Sequence, residues 1–182
     1  ATPAAFYANE ESRSSYYDIG LQMSDSNYDF FAGGSLKDRT GKEKDQKDLY
    51  DVMKEKGYNV VETKAEAEKV DAKAKKTYIV SEELQDDGAM PYNIDKKEST
   101  QDLNDMVKKG IEVMEDDPEG FFMMAESGKI DWAEHANDGA TTVNEVIGFQ
   151  KSIQTAMDFY NEHPDDTLIV VTADHATGGF TI

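Results

Sequence analysis

Two short segments hold most of the side chains that could do chemistry. One is Glu126-Ser-Gly-Lys-Ile-Asp131-Trp-Ala-Glu-His135 and the other is Thr172-Ala-Asp174-His175-Ala-Thr-Gly178-Gly179. Each combines carboxylate and imidazole, the oxygen and nitrogen donors that bind zinc without cysteine. Two of the three histidines of the chain lie here. Asp131 and His135 are four residues apart, so one helical turn places both on a single face, where they can share one ion. The adjacent Asp174 and His175 cannot share a helix or strand face, but they can converge in a loop. Gly178-Gly179 predicts irregular backbone there. Taken singly, each feature has a plainer reading: D-x-x-x-H as a surface pair, Asp-His as an exposed loop pair, Glu126 as a strand-end carboxylate. Their combination favours metal binding.

The elements expected to position these residues alternate. Thr2 caps and Pro3 opens a helix that runs to about residue 24 and is interrupted or ended near Gly20, with Arg13 on it as a solvated residue. Residues 27–32 read as a short buried strand broken by Gly33-Gly34. A helix over 48–56 stops at Gly57, a strand follows at 58–62, an exposed helix at 64–75 and a strand at 77–80. This order predicts a largely parallel α/β sheet. Residues 82–98 read as loop, and 100–115 as a helix capped by Ser99 or Thr100 with Leu103, Met106, Val107, Ile111 and Met114 at helical spacing. The apolar runs 121–125 and 167–172 read as strands buried on both faces. Both chemical segments then follow strand carboxyl ends, the rim where ligands gather in open α/β sheets. Between them a helix over 141–162 carries a stripe of Val143, Val146, Ile147, Ile153, Met157 and Tyr160, read as core. His163, before Pro164, reads as a solvated helix-terminal histidine.

The totals narrow the function classes. The chain of 182 residues is long enough for a single α/β domain spanning 1–182, with 38% hydrophobic and 10% aromatic residues. Thirty-eight acidic against 19 basic residues give a net charge of −19. That balance argues against nucleic acid as a specific partner, since phosphate neutralisation needs clustered Lys and Arg. An anionic substrate would need local positive charge from metal ions or a placed arginine. Cysteine is absent, which removes disulfides, thiolate ligands and a thiol nucleophile. No apolar run is long enough for a membrane segment. The opening Ala-Thr-Pro-Ala, without an initiating Met, predicts an internal fragment of a longer protein with no signal peptide in view.

The string Gly120-Phe-Phe-Met-Met-Ala-Glu126-Ser-Gly-Lys-Ile-Asp131-Trp-Ala-Glu-His135-Ala-Asn-Asp resembles the metal-binding segment of alkaline phosphatases. Val170-Val-Thr-Ala-Asp174-His175-Ala-Thr-Gly-Gly resembles the second metal segment of the same family. Thr2-Pro3-Ala-Ala with Arg13, Phe31-Ala-Gly33-Gly34, Gly57-Tyr-Asn-Val-Val-Glu62 and Met90-Pro-Tyr-Asn-Ile-Asp95 are similar to family landmarks in family order. The resemblance implies part of a three-layer α/β/α sandwich and a site of two zinc ions and one magnesium. It implies Asp131 and His135 as ligands of one zinc, Asp174 and His175 of the other, Thr2 and Glu126 as magnesium ligands, and Arg13 as the phosphate clamp. It further implies small-molecule phosphate monoesters as substrates, allows a homodimeric parent, and places that parent in the periplasm or outside the cell.

Three departures accompany the resemblance. Ser127 stands where the family often has a second glycine, and Trp132 where a well-known enterobacterial member has lysine. The nucleophilic serine and an aspartate bridging zinc and magnesium belong upstream of Ala1, and a third zinc histidine downstream of Ile182. The fragment is therefore expected to be inactive alone and to bind metal weakly. Two other readings stay open: a related metal-dependent phosphodiesterase or sulfatase-like hydrolase, and a non-catalytic acidic α/β module.

Overall fold

The computed structural model describes residues 2–74 and 76–179. The chain divides into two compact units, Ala1–Pro91 with Lys109–Glu126, and Tyr92–Lys108 with Ser127–Ile182.

The first unit is built on three parallel strands, β1 (Phe30–Gly33), β2 (Asn59–Val61) and β3 (Thr77–Val80), in the order β1-β3-β2. The central β3 is buried throughout, as its unbroken apolar character predicts for a parallel strand covered on both faces. Side chains alternate across the pleat. Tyr78 and Val80 face a cluster with Met23 of α1 (Tyr16–Asp25) and Tyr50 and Met53 of α2 (Leu49–Glu55). Ile79 faces the opposite cluster with Val61, Ala67 of α3 (Lys64–Ala67) and Val113 of α4 (Leu103–Met114). Helices thus flank both faces of a parallel sheet, the α/β class expected. Burial raises the Tyr7 phenol to about 12 and pushes Tyr78 well above its ordinary value, while the Tyr78 hydroxyl donates to the Gly34 carbonyl at 2.6 Å.

Several local expectations change. The N-terminal helix is a short 3-10 turn, Pro3–Phe6, followed by a loop, and α1 begins only at Tyr16. Arg13 therefore sits in an exposed turn rather than on a helix. Gly20 does not interrupt α1: it is buried mid-helix, where an added Cβ would stand 2.4 Å from Leu49 Cδ1. Its missing side chain lets α2 approach. The exposed helix at 64–75 shortens to the four residues of α3. The cap of α4 is Asp102, neither Ser99 nor Thr100: Asp102 accepts from the Asp105 N–H at 3.1 Å while Asp105 accepts from the Asp102 N–H at 3.2 Å. Two orphan donors are satisfied reciprocally, the logic of a capping box.

The largest corrections concern apolar sequence. Neither 121–125 nor 167–172 forms a strand among the described residues. Phe122 is 70% exposed, and Leu168, Val170 and Val171 are 86%, 74% and 55% exposed. A strand exists only when a neighbour completes its hydrogen-bond ladder, and among the described residues no neighbour pairs with either run. The rim expected at their carboxyl ends is therefore not built by strands here.

In the second unit, α5 (Lys129–His135) packs on α6 (Gly139–Glu162). The stripe expected as core points largely the other way: Val143, Val146, Ile147 and Met157 are exposed, while Thr141, Thr142, Glu145 and Ser152 are buried. Most of the inward face of α6 meets polar partners, while the buried Ser152 hydroxyl has none among the described residues. The Glu145 carboxyl group accepts from the Asn93 N–H at 2.6 Å and from Asn93 Nδ2 at 2.8 Å. Gly148 leaves room for this contact, since a Cβ there would meet Asn93 Nδ2 at 2.4 Å. Asp138 caps α6 through the Thr141 N–H at 3.0 Å and the Thr141 hydroxyl at 2.6 Å. His163 is the C-cap, with its ring 4.6 Å from that of Phe159. Among the described residues no helix is long and apolar enough to cross a membrane.

Candidate metal centre

The first donor pair is set by α5. Its seven residues suffice to bring Asp131 and His135 onto one face, and Asp131 Oδ1 lies 3.5 Å from His135 Nε2. Ala133, 1% exposed, seats the opposite side of the helix, where α5 meets α6. At the head of α5 the Lys129 ammonium stands 3.8 Å from the centroid of the Tyr92 ring and 4.4 Å from that of Trp132. Such cation–π contacts are worth about 0.5–2 kcal/mol. Tyr92 is adjacent to Asn93, which Glu145 holds on α6. The helix carrying Asp131 and His135 is thereby tied at both its buried face and its start.

The second pair lies in the loop after the apolar run. Asp174 Oδ2 is 3.3 Å from His175 Nε2, and both side chains are exposed. Two residues on, Thr177 is buried. Its hydroxyl donates to Asp131 Oδ1 at 2.6 Å and contacts His175 Nδ1 at 3.1 Å. The two pairs, 43 residues apart in sequence between Asp131 and Asp174, are thus joined through one side chain. A polar cavity of about 210 Å³ opens beside Thr177, lined also by Glu134, Asn137 and Thr142.

In the first unit, Thr2 meets Glu126. The Thr2 hydroxyl donates to Glu126 Oε1, and the Thr2 N–H donates to Oε2, each at 3.2 Å. Thr2 makes no side-chain cap bond to its short helix, so its expected capping role is replaced by this long-range contact. Thr2, Glu126 and Arg13 belong to the first unit, and Asp131, His135, Asp174 and His175 to the second.

The donors fit the ions the resemblance implies. Two ligands each about 2.0–2.1 Å from one tetrahedral zinc stand about 3.3 Å apart, close to the 3.5 Å and 3.3 Å of the two carboxylate–imidazole pairs. Hydroxyl and carboxyl oxygens, as at Thr2 and Glu126, suit magnesium. Each pair supplies two donors, and among the described residues no group of three or more His, Cys, Asp and Glu could hold an ion. Thr177 escaped the sequence reading. The available signal was a hydroxyl two residues past His175 and just before Gly178-Gly179, where a residue can turn back onto its neighbours.

Comparison with known proteins agrees with the landmarks. The family model described as alkaline phosphatase matches residues 25–182. Alkaline phosphatase 3 and alkaline phosphatase 4 of Bacillus subtilis (strain 168) are 31% and 33% identical over the whole of this chain. The chain spans 38% and 39% of their lengths. Among solved structures, Thermus thermophilus alkaline phosphatase superposes with a TM-score of 0.78 at 30% identity, covering 91% of this chain and 34% of that one. A mutant of TAB5 alkaline phosphatase with Mg bound in its M3 site gives 0.76 at 31% identity, covering 90% of this chain and 45% of that one. Sequence, fold and landmarks agree, and the chain belongs to the alkaline phosphatase family.

Proposed function

We propose that the protein to which this chain belongs hydrolyses phosphate monoesters at a site of two zinc ions and one magnesium. The observation that carries this reading is the pair of carboxylate–imidazole contacts at 3.5 Å and 3.3 Å, joined through Thr177. Asp131 with His135 would hold one zinc, Asp174 with His175 the other, and Thr2 with Glu126 the magnesium. When bound, the two zinc ions supply Lewis-acid stabilisation of the attacking and leaving oxygens of an in-line displacement.

The chain's own residues do the positioning. Arg13 presents a planar fork that matches two phosphate oxygens and holds the transferred group in line. α5 keeps Asp131 and His135 in one orientation, and the Asp174-His175 loop sets the second pair opposite a buried hydroxyl. The nucleophile is assigned to no residue of this chain, following the resemblance. The chain alone is then inactive and binds metal weakly, because each zinc keeps only two protein donors. Secretion or export to the periplasm follows the same reading.

A substrate panel on the full-length protein tests the assignment. We expect phosphate monoesters to be turned over in preference to diesters and sulfate esters, with Asp174→Ala and Arg13→Ala each lowering kcat/KM by at least about 100-fold, the scale of losing a transition-state contact of roughly 3 kcal/mol. Preferred turnover of diesters or sulfate esters would overturn it. Robust monoester turnover by the purified 182-residue chain that Asp174→Ala abolishes would instead overturn the expectation that this chain is inactive alone.

A further inference from the structure

Lys129, Trp132 and His135 follow one another at steps of three along α5. Residues three apart on a helix are surface neighbours, with Cβ atoms about 5–6 Å from each other. The Trp132 indole therefore stands between the Lys129 side chain and the His135 imidazole. Trp132 is 43% exposed, so a large apolar ring borders the first donor pair at the surface. The Lys129 ammonium lies over that ring at 4.4 Å from its centroid and over the Tyr92 ring at 3.8 Å. Tyr92 is half-buried, and its neighbour Asn93 is anchored to the buried Glu145 of α6. A cation shared by two rings, one of them beside a fixed anchor, restricts the swing of the other.

We propose that Lys129 is a positioning residue that holds the Trp132 indole as an aromatic platform beside Asp131 and His135, and that Trp132 is a specificity-determining residue favouring phosphate monoesters with aromatic leaving groups. The platform rests on the reading of this pair as part of a phosphate monoester site. Metal ions and a guanidinium recognise the phosphoryl group that all monoesters share, so discrimination among them needs a surface for the leaving group. An indole offers apolar area and a π face, and a pair of aromatic rings gains more than its buried area alone provides. The ammonium covers part of the ring, and the remaining exposure is the area open to a ligand. The clasp itself is a property of the metal-free chain and can be measured there.

Trp132 is the only tryptophan of the chain, so tryptophan fluorescence reports this indole alone. In the metal-free 182-residue chain, acrylamide quenching should rise and fluorescence anisotropy fall in Lys129→Met. Lys129→Arg keeps a cation for both rings and should restore the wild-type values. In the full-length protein, phenylphosphonate and methylphosphonate, whose carbon–phosphorus bonds resist hydrolysis, report leaving-group binding as competitive inhibitors. The preference for the phenyl compound should fall roughly 2–10-fold in Trp132→Leu, the scale of one aromatic contact. It should fall in the same direction in Lys129→Met and recover in Lys129→Arg. Unchanged fluorescence in a folded Lys129→Met overturns the positioning role, and an unchanged preference in Trp132→Leu overturns the platform. A wild-type protein with no preference for phenyl over methyl overturns the platform without any variant having to fold. If Lys129 governs the fluorescence but the full-length protein neither hydrolyses monoesters nor binds either phosphonate, the clasp stands and the monoester reading of the site fails, which separates the two.

Discussion

In the first unit the central strand β3 is buried by Tyr78 and Val80 on one face and Ile79 on the other, whereas the buried face of α6 in the second unit consists of Thr141, Thr142, Glu145 and Ser152. The first arrangement is stabilised by apolar area removed from water, a non-directional effect of about 25 cal/mol per Å². The second relies on donors and acceptors meeting in fixed geometry, where each missing partner leaves a desolvated group uncompensated. The scaffold is therefore sensitive to volume, and the region bearing the proposed zinc donors is sensitive to hydrogen bonding. Directional contacts, unlike non-directional apolar ones, fix the orientation of single side chains such as Asp131, the proposed zinc ligand held by Thr177.

The difference can be broken at chosen residues. The largest effect is expected from Ile79→Ala, which opens a cavity in the middle of the sheet and should cost about 2–5 kcal/mol in denaturant unfolding of the first unit. Glu145→Ala removes no comparable volume of core but orphans the Asn93 N–H and Nδ2. A loss of about 1–3 kcal/mol is expected, with Glu145→Gln milder because it keeps an acceptor. If Glu145→Ala proved neutral, the polar account of the second unit would fail.

A pH effect comes next. The Thr141 hydroxyl, and then the Thr141 N–H, hold the Asp138 carboxyl below its ordinary value. A carboxyl depressed in the folded state stabilises above its unfolded pKa of about 3.9, and that contribution disappears as pH falls through the lower folded value. Amide protection at the start of α6, with exchange rates corrected for their intrinsic pH dependence, should therefore fall on acidification below about pH 4, and Asp138→Asn, which caps without ionising, should flatten that response. A flat profile in the wild type would contradict the cap. The smallest change is expected on the outer face of α6: Val146→Ser and Ile147→Ser, at exposed positions, should shift stability by no more than about 0.5 kcal/mol. A loss of several times that size would mean that this face is covered in the folded chain.

What could be read from sequence was what neighbours in sequence decide. The run Thr77-Tyr-Ile-Val80 was legible as a strand, and the four-residue spacing of Asp131 and His135 as one helical face, because both depend on short-range periodicity. The equally apolar run at 167–172 carried the same signal, yet Leu168 and Val170 are exposed. Apolarity states a demand for cover but does not name the partner strand. The α6 stripe misled in the same way, since Gly148 and Glu145 select the buried face through Asn93, some 50 residues away in sequence. Thr2 lost its expected capping role to Glu126, 124 residues distant. Thr177 was invisible for a further reason: its importance lies in two contacts, one to Asp131 and one to His175, and no spacing rule links all three.

The central claim is that the two carboxylate–imidazole pairs are zinc sites, and direct zinc binding tests it. Equilibrium dialysis of the purified chain against zinc, comparing wild type with His135→Ala, His175→Ala and the double variant, should show weak uptake in the wild type. Each single variant should lose part of that uptake and the double variant nearly all of it. Equal binding by all four proteins would mean that the zinc is held elsewhere on an acidic surface, and would contradict the account.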